Sequence, residues 1–259
     1  MSSASEQAEK AVTINLRSPW RWLRLGLMDF IRNPLPGLMH GLALSLFGLV
    51  LFIAANDHFW LLAGAFSGFL IVAPIMATGL YAVSRHASEG QKVCCREVLQ
   101  LWLSGDRRMM GFGLLLAFAG TGWVLTSAGL ITLWAPAPIE KPVDFFQHVV
   151  LGPSPGLFEV WVLLGALLAA PVFASSVVTI PLLMDTQTPL WEAVGLSWSV
   201  VGSYPVVMAL WACLIVLLVG FGLATLTLGL LVVVPVLGHA SWHAYADLKH
   251  AGALRHRTV

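Results

Sequence analysis

The sequence has little charge and none of the short motifs that mark common enzymes. Charged residues make up 10% of its 259 residues, against about 25% in soluble domains. It contains no Walker loop, no G-x-S-x-G elbow, no H-E-x-x-H motif and no dinucleotide-binding fingerprint. It also lacks a dense basic run of the kind that binds nucleic acid. Enzymatic activity therefore has no positive indication, and nucleic acid is not an expected partner.

Cysteine is scarce as well. The three cysteines are Cys94, Cys95 and Cys213, and no C-x-x-C pair occurs, so the sequence offers no zinc framework. Cys94 and Cys95 fall in a segment that we expect in the cytoplasm, where thiols stay reduced. Cys213 lies in an apolar run, where a small packing residue is the simplest interpretation.

Long apolar runs dominate what remains. Hydrophobic residues make up 58% of the chain, and a membrane-spanning helix needs about 20 mostly apolar residues. The clear candidates are Gly37–Ala55, Phe59–Ser84, Met110–Trp134 and Leu157–Met184. Residues 204–248 are long enough for two further spans with a tight turn near Gly220–Thr227. The pattern predicts an all-α membrane protein with six transmembrane helices.

The distribution of positive charge predicts the orientation of these spans. With six spans, all but one of the 14 Lys and Arg residues lie in the N-terminal segment, the loop after the second span, or the C-terminal tail. Cytoplasmic loops carry such an excess, so we expect both termini in the cytoplasm. The predicted divisions are a cytoplasmic segment 1–36, a membrane domain 37–248 and a tail 249–259. The first 36 residues do not resemble a cleaved signal peptide.

Two short amphipathic segments indicate an internal repeat. Residues Pro19–Leu38 and Leu190–Ala209 align through Trp20 with Trp191, and Val93–Ser104 is a weaker counterpart. Ser18 and Thr188 are the expected N-caps, since each precedes a proline. Amphipathic helices of this kind lie in the membrane surface. We therefore expect three parallel units, each an interfacial helix followed by a transmembrane hairpin; chance similarity between apolar segments is the alternative.

Three stretches carry a resemblance to a known family. They are "SPWRWLRLGLMDFIRNPLPGLMHGLALSLFG", "PLLMDTQTPLWEAVGLSWSVV" and "LLVVVPVLGHASWHAYADL". The chain resembles, from about Arg17 to Lys249, the bacterial integral-membrane family catalogued as domain of unknown function 2189. Some members carry the label cytochrome c oxidase, so the resemblance implies that haem should be considered. The family supplies no established catalytic residues.

Three histidines are the candidate cofactor ligands. His239 and His243 are four residues apart and share a helix face, while His40 lies near the start of the first span. At about 1.5 Å per residue, His40 and His243 both lie roughly 6 Å inside the cytoplasmic boundary. One hypothesis is that His40, His239 and His243 bind haem or a metal ion. The other is that each is a neutral, hydrogen-bonded histidine near the membrane interface.

Carboxylates are absent from the middle of every predicted span. Proton- or sodium-coupled transport usually needs one there, so a coupled transporter is not favoured. Asp185 and Asp247, at the cytoplasmic ends of spans, are expected to be caps or partners of arginines. The close spacing of Gly37 and Gly41 predicts tight helix packing around His40.

The predicted outer loop, Ala135–Gly156, is rich in proline and contains "DFFQHVV", a predicted surface helix with His148. It could contact a partner or act as a stiffened connector.

Three functions follow from the sequence as hypotheses. The first is a non-enzymatic accessory or assembly partner of another membrane complex. The second is haem or metal binding, and the third is a channel or facilitator for a small uncharged solute. The expected partners are the lipid bilayer and other membrane proteins.

Overall fold

The computed structural model describes residues 12–55, 76–90, 95–103, 105–152 and 155–254, and these contain helices but no strand. The helices are α1 Ser18–Arg32, α2 Pro34–Ala55, α3 at residues 76–88, α4 Cys95–Leu103, α5 Arg107–Trp134, α6 Pro142–Phe145, α7 Leu157–Ser176, α8 Thr179–Asp185, α9 Leu190–Ser203, α10 Pro205–Ala224 and α11 Leu230–His250. A π-helical turn, Phe146–Val150, directly follows α6. The all-helical prediction is confirmed for these residues.

Four stretches of the described chain are long and apolar enough to cross a membrane: Pro34–Leu51, Arg107–Trp134, Leu157–Asp185 and Pro205–Ala224. They coincide with the first, third, fourth and fifth predicted spans. Most of the second, Phe59–Ser84, lies outside the described residues. The sixth is helical as α11 but too polar in its second half to qualify. The count of six spans stays a prediction.

The fourth predicted span is interrupted where α7 ends and α8 begins. Pro181 has no N–H to offer the carbonyl of Val177, and its ring crowds that carbonyl. The chain leaves the helix at Val177 and Val178. The freed backbone N–H of Val178 donates to the Ser197 hydroxyl of α9 at 3.3 Å. Helix α9 therefore compensates for the break by supplying the missing acceptor.

Helix α11 lies at the centre of the bundle, against α1, α2, α3, α8 and α10. Helices α1 and α2 run antiparallel to it, because Trp22 meets Asp247 at one end and Ser45 meets Thr227 at the other. A helix surrounded by protein can carry polar side chains that lipid would not tolerate. This explains why the second half of α11 is polar and still buried or half-buried as far as Leu248.

Glycine allows α1 and α2 to approach α11 closely. A Cβ at Gly26 would lie 2.5 Å from the Val236 carbonyl oxygen. A Cβ at Gly41 would lie 2.6 Å from the Leu231 carbonyl oxygen. The tight helix packing predicted from Gly37 and Gly41 is confirmed, and the helix that packs against them is α11.

Two local predictions were wrong. Ser18 is not an N-cap: α1 begins at Ser18 itself, whose hydroxyl accepts from the Asn15 backbone N–H at 3.0 Å. Thr188 does not cap α9 either, because its hydroxyl pairs with that of Thr186 at 2.7 Å. In both places the hydroxyl bonds to the preceding loop instead of the first helical turn. The helices themselves lie where they were predicted.

The hairpin between α10 and α11 is confirmed, but its turn falls later than expected. Gly220 and Gly222 belong to α10, and the turn is made by residues 225–229. Leu226 and Thr227 have positive φ angles of 53° and 68°, where a side chain is unfavourable. Thr227 is held there because its hydroxyl donates to the Ser45 carbonyl at 3.0 Å.

The predicted threefold repeat stays a prediction. Each of the three short amphipathic segments is helical, as α1, α4 and α9. Each directly precedes a long apolar helix, α2, α5 or α10. This order agrees with the proposed units without establishing an equivalent placement of the three in space.

Candidate functional site

Four polar side chains meet where α1, α3 and the second half of α11 pack together. The first contact joins α3 to α11: Nδ1 of His239 lies 2.8 Å from the Ser84 hydroxyl. The helices approach closely there, since a Cβ at Gly238 would lie 2.4 Å from a methyl carbon of Leu80. His239 and Ser84 are both fully buried. Nε2 of His239 is also buried, and no described residue is within hydrogen-bond geometry of it.

The second contact joins α1 to α11. Nε2–H of His243 donates to Oδ2 of Asp29 at 2.8 Å, and Asp29 is only 6% exposed. Burial, the largest single influence, raises the pKa of the Asp29 carboxyl. Hydrogen bonds from His243 and Ser84 outweigh it and hold that pKa below its ordinary value. Ser84 thus stands between His239 and Asp29, and the four side chains form one buried group, the Asp29 cluster.

His40 occupies a separate pocket between α2 and α3. Its Nδ1 lies 2.7 Å from the Pro36 carbonyl oxygen and its Nε2 lies 3.1 Å from that of Met76. The ring packs edge-on against Trp102 of α4, with centroids 4.9 Å apart. A Cβ at Gly79 would collide with the imidazole. His40 therefore ties three helices together through backbone carbonyls and an aromatic contact.

The three predicted ligands surround one region without meeting at a point. No set of three His, Cys, Asp or Glu side chains within the described ranges is arranged to hold a metal ion. His40 has both ring nitrogens against carbonyls, and His243 uses Nε2 on Asp29. His239 alone among the three has a buried ring nitrogen without a partner. His239 is thus the one of the three with a ring nitrogen left for a ligand, and the hypothesis that all three bind a cofactor stays a prediction.

The cluster includes residues that the sequence analysis did not single out. Asp29 is the only acidic residue of α1, and it lies on the same helix face as Trp22 and Gly26. The sequence could have indicated Asp29, because it is a carboxylate on the helix face that also carries Trp22 and Gly26. Ser84 carried no such signal, because serine is common near span ends.

The expected arginine partners of Asp247 and Asp185 are confirmed. Asp247 accepts hydrogen bonds from Arg21 and from the Trp22 indole. Asp185 has a different set of partners. They are Tyr245 at 2.7 Å, Lys249 at 2.5 Å and Arg85 at 3.8 Å. These contacts fasten the end of α11 to α1, α3 and α8.

A groove of about 460 Å³ lies between α5, α7 and α9. Its walls are mainly apolar, and include Trp123, Pro171 and Trp191. Its hydroxyls are engaged elsewhere: Thr126 donates to the Gly122 carbonyl and Ser175 accepts from Trp198. None of the described lining residues is ionisable.

Four described stretches long and apolar enough to cross a membrane, together with a family match, indicate a helical integral membrane protein. Residues 61–185, just under half of the chain, match the family model described as "Predicted integral membrane protein (DUF2189)". The resemblance inferred from the sequence is confirmed over that segment, which lies mostly between the stretches that suggested it. No curated protein and no solved structure shows significant similarity to the chain.

Proposed function

We propose that this protein is a non-enzymatic accessory or assembly partner of another complex in the bacterial inner membrane, with both termini in the cytoplasm. The observation that supports the proposal is the fold of residues 135–152, which follow α5. This segment would lie on the outer side of the membrane in the predicted topology.

The segment is held in a defined conformation by its own contacts. The Asp144 carboxylate accepts backbone hydrogen bonds from Lys141 at 2.8 Å and Glu140 at 3.0 Å, and these bonds lower its pKa. Val149 is buried in a small hydrophobic cluster that includes Ile131 of α5 and Leu157 of α7. The segment therefore packs onto the ends of both long helices.

The same segment exposes apolar side chains on its outer surface. Val143 is 53% exposed, Phe146 53% and Leu151 68%; we call these three residues the loop patch. Neighbouring helices of a bundle need only about 2–8 residues to connect, and this connection is longer and folded. Apolar groups held at an exposed surface mark contacts with proteins or membranes. A contact with another protein would explain why the segment is folded and also exposes apolar side chains.

A photo-crosslinking amino acid at Phe146 tests the proposal in native membranes with the full chain. The matched control places the same amino acid at Leu226, which is 64% exposed in another predicted outer turn. We expect one crosslinked protein, the same in each preparation, from position 146 and none from position 226. Leu151→Lys should then reduce both that crosslink and the amount of the assembled partner complex. Crosslinks to lipid alone, or equal crosslinks from both positions, would contradict the proposal.

Haem or metal binding is the second candidate, and the partnerless Nε2 of His239 favours it. In metal sites the other ring nitrogen of a ligating histidine is usually held by a hydrogen bond, as Ser84 holds Nδ1 here. His239 would hold the group from one side, and a second ligand would have to come from beyond the described residues or from another chain. A bound haem or metal would supply electron-transfer or Lewis-acid chemistry.

Absorbance spectra of the purified protein, oxidised and reduced, with metal analysis on the same sample, test this second candidate. A Soret band or bound metal lost in His239→Ala and kept in His148→Ala would support it. A colourless, metal-free wild-type protein would refute it. The third hypothesis, a channel for a small uncharged solute, stays a prediction.

A further inference from the structure

Helix α1 has three distinct faces. At about 100° per residue, Trp22, Gly26 and Asp29 fall on one face, and all three are buried against α11 and its neighbours. This face anchors the helix to the bundle. The remaining two faces point away from the described part of the chain.

The second face is apolar and exposed. Trp20 is 57% exposed, Leu27 42% and Ile31 67%, and Leu16 continues the stripe just before the helix. The structure places Leu23 and Phe30 half-buried at the edge of this stripe. A stripe of this kind on an anchored helix is suited to the boundary between headgroups and acyl chains.

The third face is basic and adjoins the apolar stripe. Arg17, Arg24 and Arg32 are exposed, and none makes an ion pair with a described residue. Arg21 lies on the same face but is paired with Asp247. The single acid of α1, Asp29, is turned inward onto His243. The outward surface of α1 therefore carries positive charge only.

Helix α9 is a natural comparison. It also precedes a long apolar helix and exposes tryptophans, with Trp191 70% and Trp198 49% exposed. It has no arginine, and its one charged residue is Glu192. Exposed tryptophans are thus common to both helices. Of the two, only α1 carries arginines that make no ion pair with a described residue.

We propose that the basic face of α1, formed by Arg17, Arg24 and Arg32, binds the headgroups of anionic phospholipids. With the apolar stripe in the acyl boundary, the adjoining arginines reach the phosphate layer. Guanidinium groups bind phosphate through paired hydrogen bonds. The opposite charges of this face and of an anionic headgroup select such lipids over zwitterionic ones, which carry no net negative charge.

The test measures thermal unfolding of the full chain in neutral detergent, titrated with phosphatidylglycerol or with phosphatidylcholine. We expect stabilisation at lower concentrations of phosphatidylglycerol. Arg24→Gln combined with Arg32→Gln should raise the half-saturating concentration of that lipid about 30-fold. Arg96→Gln combined with Arg107→Gln removes the same charge from exposed positions outside α1 and should leave it within about threefold.

A lysine variant separates charge from packing. Replacing Arg24 and Arg32 by lysine should restore most of the lipid response, because the positive charge returns. Equal responses to the two lipids would overturn the proposal. So would equal losses in the two glutamine variants, because a general effect of net charge would then be sufficient. Full competition by free inorganic phosphate would also overturn it, since the site would then recognise an ion and not a lipid surface.

Discussion

The contact between Asp29 and His243 gives the sharpest quantitative prediction. The two side chains are 8% and 17% exposed, and the bond is 2.8 Å long. A hydrogen bond to a charged group contributes about 1.5–3 kcal/mol, and breaking a buried pair by removing one partner costs about 3–5 kcal/mol. We expect Asp29→Asn to lower the free energy of unfolding by about 3 kcal/mol. His243→Gln should lower it by about 2 kcal/mol.

A double-mutant cycle tests whether the two residues interact directly. Equilibrium unfolding of the purified chain in mixed micelles gives the free energy for each single variant and for the double variant. The loss in the double variant should fall short of the sum of the single losses by about 1.5–3 kcal/mol. Ser45→Ala combined with His243→Gln is the control, because Ser45 contacts the opposite end of α11. Additive losses for Asp29 and His243 would refute the pairing.

The same contact has a pH dependence with a definite sign. The pKa of Asp29 is lowered from its ordinary value of 3.8 in the folded protein. A lowered folded pKa stabilises the fold fully above the unfolded value, and this stabilisation is lost as pH falls through the folded value. The stability difference between wild type and Asp29→Asn should therefore shrink as the pH drops below about 4. A difference that stays constant across that range would contradict the assignment.

Three further predictions concern packing and topology. Gly26→Ala should destabilise the protein by about 1–3 kcal/mol in the same unfolding assay, because the added Cβ would meet the backbone of α11. Gly195→Ala is the control and should not be destabilising, because a Cβ at Gly195 would point into open space. Equal losses in the two variants would refute the close contact at Gly26. Ser45→Ala removes a buried hydrogen bond to Thr227 and should cost about 1 kcal/mol, with an unchanged unfolding curve as the contrary result. A cysteine at Trp191, in a background without other cysteines, should react with an impermeant thiol reagent only from the cytoplasmic side; labelling from outside would overturn the topology.

The helices were predictable because hydrophobic periodicity and length act locally. Met110–Trp134 was predicted from its apolar run alone, and the structure has α5 over nearly the same residues. The break before α8 was not predicted. Pro181 provided the local cause, but the break also requires Ser197 of α9 to accept the freed N–H of Val178. An acceptor from another helix cannot be read from a hydrophobic profile.

The Asp29 cluster shows more clearly which features follow from the local sequence and which depend on contacts between distant segments. His239 and His243 were singled out from a spacing of four residues, which places two side chains on one helix face. Their partners come from α3 and α1: Ser84 lies 155 positions from His239 and Asp29 lies 214 positions from His243. The sequence analysis grouped His40 with these two histidines only because His40 and His243 are at a similar predicted depth in the membrane. Its carbonyl partners and its contact with Trp102 depend on how α2, α3 and α4 pack.

The sequence by itself determined that this chain is helical, apolar enough for a membrane, and basic at the segments expected in the cytoplasm. Those properties depend on composition, period and charge along the chain, which need no partner residue. Only the tertiary structure decided that α11 is the central helix, that Asp29 faces His243, and that Nε2 of His239 has no hydrogen-bond partner among the described residues. Each of these depends on the close approach of distant segments, which small residues such as Gly26 permit and which no local pattern encodes.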